Sequence, residues 1–222
     1  MKTTKNTENR PLLPEPTIRR LPWYLSYVRM LDKEHVEYVS STQISKELNV
    51  QSSQIAKDLS FLNIRGKTRM GYEVHSMVTE LENFLGFNRE HDAVVIGTGS
   101  LGTALIQDHG LENYGLNIVA GFDVRSEVVG KQLGGVPVYD ISELARWQSE
   151  HGVSIAIITV PVERAQETAD LAIASGMTAL WNFTPYRIRA PKDIAIANTS
   201  IYAHLAIIYN RMLGNAFIDK QG

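Results

Sequence analysis

Cysteine is absent from all 222 residues. Disulfides, thiolate zinc sites, iron–sulfur ligation and thiol redox switches are thereby excluded, because each needs a sulfur ligand or nucleophile. Any sensitivity to redox state must then reside in a bound ligand. Long apolar runs are missing too. The longest, around Ile155 to Val162, falls short of the ~18 residues that a membrane helix needs. The polar N-terminus does not read as a secretory signal, so a cytoplasmic protein with no membrane partner is expected. The six histidines are scattered, none forms an HxxxH pair, and no tyrosine is followed four residues later by lysine. A hydride-transfer enzyme needs a proton donor or acceptor beside its cofactor; no such constellation is visible, and neither catalytic residues nor metal ligands are expected.

What is present is ordinary for a globular chain: 44% apolar and 21% charged residues, enough for two modest domains. The net charge of −2 is unevenly spread. Residues 1–88 carry 12 Lys+Arg against 10 Asp+Glu, the remainder 10 against 14, and Ile18–Tyr72 alone 9 against 5. That basic bias has the sign of a polyanion-binding module.

The most informative stretch is Ala93-Val94-Val95-Ile96-Gly97-Thr98-Gly99-Ser100-Leu101-Gly102, an apolar run leading through three spaced glycines into a helical pattern. In a dinucleotide-binding turn Gly97 allows the bend, Gly99 lets the backbone approach a pyrophosphate, and Gly102 lets helix and strand pack closely. The helix start then offers free N–H groups to the anion. A second apolar strand, Ile118–Asp123, ends in an acid about twenty residues on, where a ribose-binding carboxylate is expected. Further α/β units follow. Strands ending in Thr159-Val160-Pro161 and Asn182-Phe183-Thr184-Pro185 are expected to open on the same crevice, since ligands of an open parallel sheet sit beyond its carboxyl edge.

Ahead of this lies a different pattern. Residues 1–16 carry three prolines and no periodicity and are expected to be disordered. A helix is predicted from Leu21, with Pro22 in its first turn. Ser40-Ser41-Thr42 offers caps for a short helix that Asn49 can end, and Ser52 or Ser53 is expected to cap another carrying Ile55, Leu59 and Leu62. The pair reads as a helix-turn-helix with Ser53, Gln54 and Lys57 outward. Arg65, Lys67 and Arg69 alternate along a glycine-containing segment that reads as a basic wing suited to phosphate contact. A fourth helix bearing Val78, Leu81 and Leu85 ends at Gly86, and a polar connector follows. The last helix, Ile201–Leu213, carries Tyr202, Leu205, Ile208, Tyr209 and Met212 as a broad apolar surface that either packs on its own domain or meets a second subunit.

Together these residues resemble the Rex family of bacterial redox-sensing repressors from Arg19 to about Leu213. The resemblance rests on Arg20-Leu21-Pro22 with Tyr24, Val39-Ser40-Ser41, Lys57-Asp58-Leu59-Ser60, Gly66-Lys67 with Gly71-Tyr72, the glycine turn, Phe122-Asp123, Gly134-Gly135-Val136-Pro137-Val138, Thr159-Val160-Pro161 and Asn182-Phe183-Thr184-Pro185. It implies an α/β protein: a winged helix-turn-helix domain over residues 17–86, a Rossmann NAD-binding domain over 87–198, and a C-terminal helix and tail over 199–222 exchanged within a homodimer. It implies NADH and NAD+ as effector ligands, a palindromic double-stranded operator, and release of that DNA by NADH. The nucleotide-facing set is Gly97, Thr98, Gly99, Ser100, Leu101, Gly102, Asp123, Thr159, Val160, Pro161, Asn182, Phe183, Thr184 and Pro185. The DNA-facing set is Ser52, Ser53, Gln54, Lys57, Arg65, Lys67, Arg69 and Tyr72. Asp123 is expected to favour NAD(H) over its 2′-phosphorylated form, with Arg125 nearby arguing the other way. The chain departs from the family pattern at Ala56, Asn63 and Arg69, which implies a different operator, and at Ser200, which stands where the family has an acid. Discrimination between nucleotide forms is then weaker or carried elsewhere. The competing readings are an NAD-dependent oxidoreductase and a CoA-binding-type Rossmann protein with an incidental basic domain.

Overall fold

The computed structural model describes residues 13–62 and 64–218, the side chains of 214–218 excepted. Expectations for residues 1–12, Asn63 and 219–222 lie outside the described residues. The chain divides into two compact units between Arg89 and Glu90.

In the first unit, α1 (Glu15–Lys33), α2 (Ser41–Leu48), α3 (Ser52–Ser60) and α4 (Val74–Leu85) pack around one core. A two-stranded ladder, β1 (Tyr38–Val39) with β2 (Tyr72–Glu73), joins its middle to the wing. Helix α1 starts earlier than Leu21 and takes in the last two residues of the expected disordered tail. Pro16 supplies the preset φ of a first turn and Glu15 complements the helix dipole there. Pro22 therefore lies inside the helix, and Leu13 is buried. Ser40 caps α2 in a reciprocal box with Gln43, and Asn49 ends it in the left-handed conformation at φ 51°. Leu21, Leu25, Val28, Ile44, Ile55, Leu59, Met77 and Leu81 close the core completely. The helix cap expected of Ser52 or Ser53 is not made. Helix α3 begins at Ser52, Gln51 holds the cap position without a side-chain bond, and both serines sit within the first turn.

The second unit is a seven-stranded sheet in the order β5-β6-β4-β3-β7-β8-β9. Its strands are β3 (His91–Ile96), β4 (Leu116–Asp123), β5 (Gln132–Leu133), β6 (Val136–Asp140), β7 (Ile155–Ile158), β8 (Ala179–Asn182) and β9 (Ala195–Asn198). All adjacent pairs are parallel except β5 with β6. Strand β3 starts two residues earlier than the apolar run, because His91 and Asp92 join the ladder with exposed side chains. Helices α5 (Ser100–Ile106), α6 (Leu144–His151) and α7 (Ala165–Ala174) connect strands, and α8 (Ile201–Ile218) follows β9. Alternation sorts β3 between two faces: Val94 and Ile96 join Phe122, Trp147 and Ile158 in one core, while Ala93 and Val95 join Ile106 and Ile157 in the other. Winding outward from β3 in both directions makes a doubly wound sheet whose topological switch point lies beside β3, at the carboxyl ends of β3 and β7.

Candidate functional site

The glycine turn sits at that switch point. Gly97 follows β3 at φ +94°, and a Cβ there would stand 2.9 Å from Val160 Cγ1 and 3.0 Å from the Thr159 carbonyl carbon. Gly102, buried in α5, faces the Gly97 carbonyl oxygen so closely that a Cβ would overlap it. Thr159 Oγ1 completes the contact by donating to that same oxygen at 2.6 Å. The ends of β3 and β7 are thus joined through one threonine hydroxyl. Gly99, by contrast, faces open space, and with Ser100 and Leu101 exposed beside it the first N–H groups of α5 have no helical partner. A cradle lined by backbone with no Cβ in the way fits the pyrophosphate of a dinucleotide.

Asp123 ends β4 next to the turn, with only 7% of its surface exposed. Its Oδ2 accepts from Thr98 N at 2.7 Å, Thr98 Oγ1 at 2.8 Å and Arg125 Nη2 at 3.0 Å. Its Oδ1 accepts from Val124 N at 2.8 Å and from Arg125 N and Nε, both at 3.0 Å. Burial pushes this carboxyl up, but the Arg125 and Thr98 hydrogen bonds outweigh it and hold the group well below the usual carboxylate range. Arg125 is engaged by Asp123 and by the Thr98 carbonyl oxygen at 2.9 Å, so its charge is answered before any ligand arrives.

The late segment behaves differently from expectation. Asn182 is completely buried. Its Nδ2 donates to the Tyr186 carbonyl at 2.6 Å and to Asn198 Oδ1 at 2.9 Å, while its Oδ1 accepts from Thr184 N. Thr184 is also buried, and its hydroxyl accepts from Tyr186 N at 3.3 Å. These two shape the loop after β8 and tie it to β9, so they present no free polar group to the crevice. Phe183 is half-buried against Trp181, with ring centroids 4.6 Å apart, and Pro185 is exposed. Val160 is half-buried and Pro161 exposed beyond β7.

In the first unit Ser53, Ala56, Lys57 and Ser60 are exposed along one side of α3, with Ser52 half-exposed. Gln54 is only half-exposed and donates its Nε2 to Asp58 Oδ1 at 2.8 Å. The wing is a tight turn rather than an extended basic ribbon. Lys67 and Gly71 close it through paired backbone hydrogen bonds, and Arg69 occupies φ +66° at its tip. Arg65 and Arg69 are exposed, but the Lys67 ammonium donates to Tyr38 OH at 2.7 Å. Tyr72 is half-buried against the core, the opposite of an outward contact, because β2 pairing turns it inward.

Asp58 stands in the sequence only as part of a motif, and its role emerges from the fold. It is fully buried and receives Thr17 Oγ1 at 3.0 Å, Arg20 Nε at 2.7 Å and Nη2 at 2.8 Å, Tyr24 OH at 2.8 Å and Gln54 Nε2. Burial pushes its carboxyl up, yet Arg20, Tyr24, Gln54 and Thr17 together hold it below its ordinary value. The carboxylate therefore fastens α3 to α1. The signal was the Arg20…Tyr24 spacing, which puts both side chains on one helix face. Because Asp58 and Asp123 are each held below the ~3.9 of a free aspartate, their stabilising contributions are complete above that value and are lost as pH falls through the lowered folded values. Melting temperatures followed downward from pH 7 should fall below about pH 4, less steeply in Asp58→Asn and Asp123→Asn. Unchanged slopes in both variants would contradict the assignment.

Fold and site define a class: a winged-helix unit on the same chain as a doubly wound sheet with a dinucleotide-type turn. Residues 13–60 match a family model described as "Putative DNA-binding protein N-terminus" and residues 88–186 match one described as "CoA binding domain". Proteins named redox-sensing transcriptional repressor Rex match along most of the chain. The one from Bacteroides fragilis is 54% identical over 90% of this chain and 91% of its own, and that from Treponema denticola is 40% identical over 88% and 94%. Among solved structures, RSP in complex with beta-NAD+ and operator DNA aligns with a TM-score of 0.88 at 29% identity, covering 94% of this chain and 96% of that one. RSP in complex with beta-NADH aligns at 0.85, covering 95% and 99%. The chain belongs to the Rex family of redox-sensing transcriptional repressors.

Proposed function

We propose that this protein is a DNA-binding transcriptional repressor that reads the NADH/NAD+ ratio, holding a palindromic operator when free or NAD+-bound and releasing it with NADH. The observation that carries the reading is the near full-length likeness to RSP bound to beta-NAD+ and operator DNA, on a chain whose own glycine turn is shaped for a pyrophosphate. The nucleotide is read and not consumed, and the protein works in the cytoplasm, where its DNA is. Gly97–Gly102 grip the pyrophosphate common to both forms, and Asp123 takes the ribose by exchanging part of its present bonds to Thr98, Val124 and Arg125 for the ribose hydroxyls. Asp123 and Arg125 offset each other's charge, so the pair by itself neither attracts nor repels a 2′-phosphate. Ser200 caps α8 by accepting from Ala203 N at 3.2 Å and brings no charge, so discrimination rests on the end of β7 and the start of α8. A ligand shifts a two-state equilibrium only by its differential affinity, and a hundredfold preference of NADH for the released arrangement is worth about 2.7 kcal/mol. Helix α8 exposes Tyr202, Ile208, Tyr209 and Met212, each more than half accessible, a face that a second copy of the chain would cover in an exchanged homodimer.

The reading is tested by a mobility-shift titration on an operator selected from random duplexes: NADH is expected to release the DNA and NAD+ to leave it bound. Retention at saturating NADH would overturn the sensor reading, and steady NADH turnover would favour an oxidoreductase. Lys57→Ala is expected to weaken operator binding about tenfold, to reduce the salt slope by about two, one for each subunit on the palindrome, and to leave NADH affinity unchanged. An equal fall in NADH affinity would contradict the division of labour between the two units.

A further inference from the structure

One polar side chain in the first turn of α3 is fastened from behind. Gln54 sits in the first turn of α3, where a helix-turn-helix meets base edges. Free in water, its amide can turn either way and present a donor or an acceptor. Here one end is fixed. Asp58 is an ionised carboxylate and only accepts hydrogen bonds, so the group 2.8 Å from its Oδ1 must be the Gln54 nitrogen. Gln54 Oε1 has no hydrogen-bond partner among the described residues and is not among the buried unpartnered atoms, so part of it is accessible to solvent. Asp58 is itself immobilised by Thr17, Arg20 and Tyr24.

We infer that Asp58 is a positioning residue for operator specificity: it locks Gln54 with its oxygen outward, so that Gln54 selects a base whose major-groove edge carries an amine, adenine or cytosine, and disfavours the acceptor-only major-groove edges of guanine and thymine. The inference rests on the DNA-binding reading above. Major-groove edges differ in this respect, since adenine N6 and cytosine N4 donate whereas guanine O6 and N7 and thymine O4 accept. An amide free to flip tolerates either kind, and a locked one does not.

The test uses the full-length protein and a duplex that the wild type selects from a random pool. Each adenine is replaced in turn by purine and each cytosine by 2-pyrimidinone, which removes the exocyclic amine alone, and affinities are compared for wild type, Gln54→Ala, Gln54→Glu and Asp58→Asn. One symmetric pair of positions should lose about fivefold or more in wild type, the scale of one hydrogen bond. That loss should vanish in Gln54→Ala and shrink in Gln54→Glu, whose carboxylate cannot donate to Asp58 and is repelled from the place the amide holds. In Asp58→Asn, where residue 58 can donate as well as accept, the amide is free to turn, and guanine or thymine becomes tolerated there. A purely structural role for Asp58 would weaken all sequences equally and leave the preference intact. If no amine position is coupled to Gln54, the inference is overturned; should Asp58→Asn not fold, guanine or thymine placed at that position decides, because tolerance of either by the wild type would show an amide free to turn. Failure to select any duplex would overturn the DNA-binding reading itself and this inference with it.

Discussion

Gly102→Val is expected to raise the NADH dissociation constant by about a hundredfold or more, equivalent to about 2.7 kcal/mol, and to leave operator binding intact but deaf to NADH. The added Cβ would overlap the Gly97 carbonyl oxygen and lie 2.8 Å from Thr159 Oγ1. A backbone oxygen cannot rotate away as a side-chain tip can, so the turn itself must move. Overpacking of this kind costs about 1–3 kcal/mol of stability, which thermal unfolding of the nucleotide unit would register. Gly99→Ala separates stability from ligand approach, because nothing lies within 4 Å of its added Cβ: the melting temperature should hold while nucleotide affinity falls. Unchanged NADH affinity in both variants would show that the pyrophosphate does not lie on this turn.

The second large effect is expected on the other unit. Arg20→Met leaves the Asp58 carboxylate buried at 0% side-chain exposure without its countercharge. Removing one partner of a buried pair costs about 3–5 kcal/mol; with Arg20 itself 21% exposed, a value of about 3 kcal/mol is expected. The first unit should melt earlier and operator affinity should fall with it, while NADH binding to the second unit is spared. Adding Asp58→Leu to Arg20→Met should recover part of the lost stability, since replacing a buried pair by apolar residues is often near neutral. Operator selectivity is not expected to return with it, because Gln54 then has nothing to fix its amide. Equal melting of wild type and Arg20→Met would remove Asp58 from its place between α1 and α3.

The features legible in the sequence are those whose cause is local. The run from Ala93 to Gly102 shows its strand, its bend and its helix start within ten residues, and Asn49 and Gly86 announce helix ends through the left-handed conformations they adopt. Ile44, Ile55, Leu59 and Leu81 reveal the first unit's core through helical spacing. What stayed hidden depends on partners far along the chain. Asp58 looks like a surface residue until Thr17, Arg20 and Tyr24, 34 to 41 positions earlier, converge on it. Asn182 lies at the carboxyl end of a parallel strand, where ligands bind, yet Tyr186 and Asn198 occupy its amide. Strand β9, with all four residues exposed, has no apolar alternation to mark it, and pairing with β8 alone defines it. Pro22 suggested a helix start because proline is tolerated there, but Pro16, nearly two turns earlier, already filled that role.

The proposed sensor responds to the ratio of two nucleotides that compete for one glycine turn. A single anisotropy titration addresses it directly: labelled operator and protein are held at fixed concentration, total NADH plus NAD+ is kept constant and saturating, and only the NADH fraction is varied. The bound fraction of DNA should fall steadily as the NADH fraction rises, and the curve should be superimposable when the total nucleotide is doubled. A bound fraction that ignores composition and follows only the total nucleotide concentration would contradict the account.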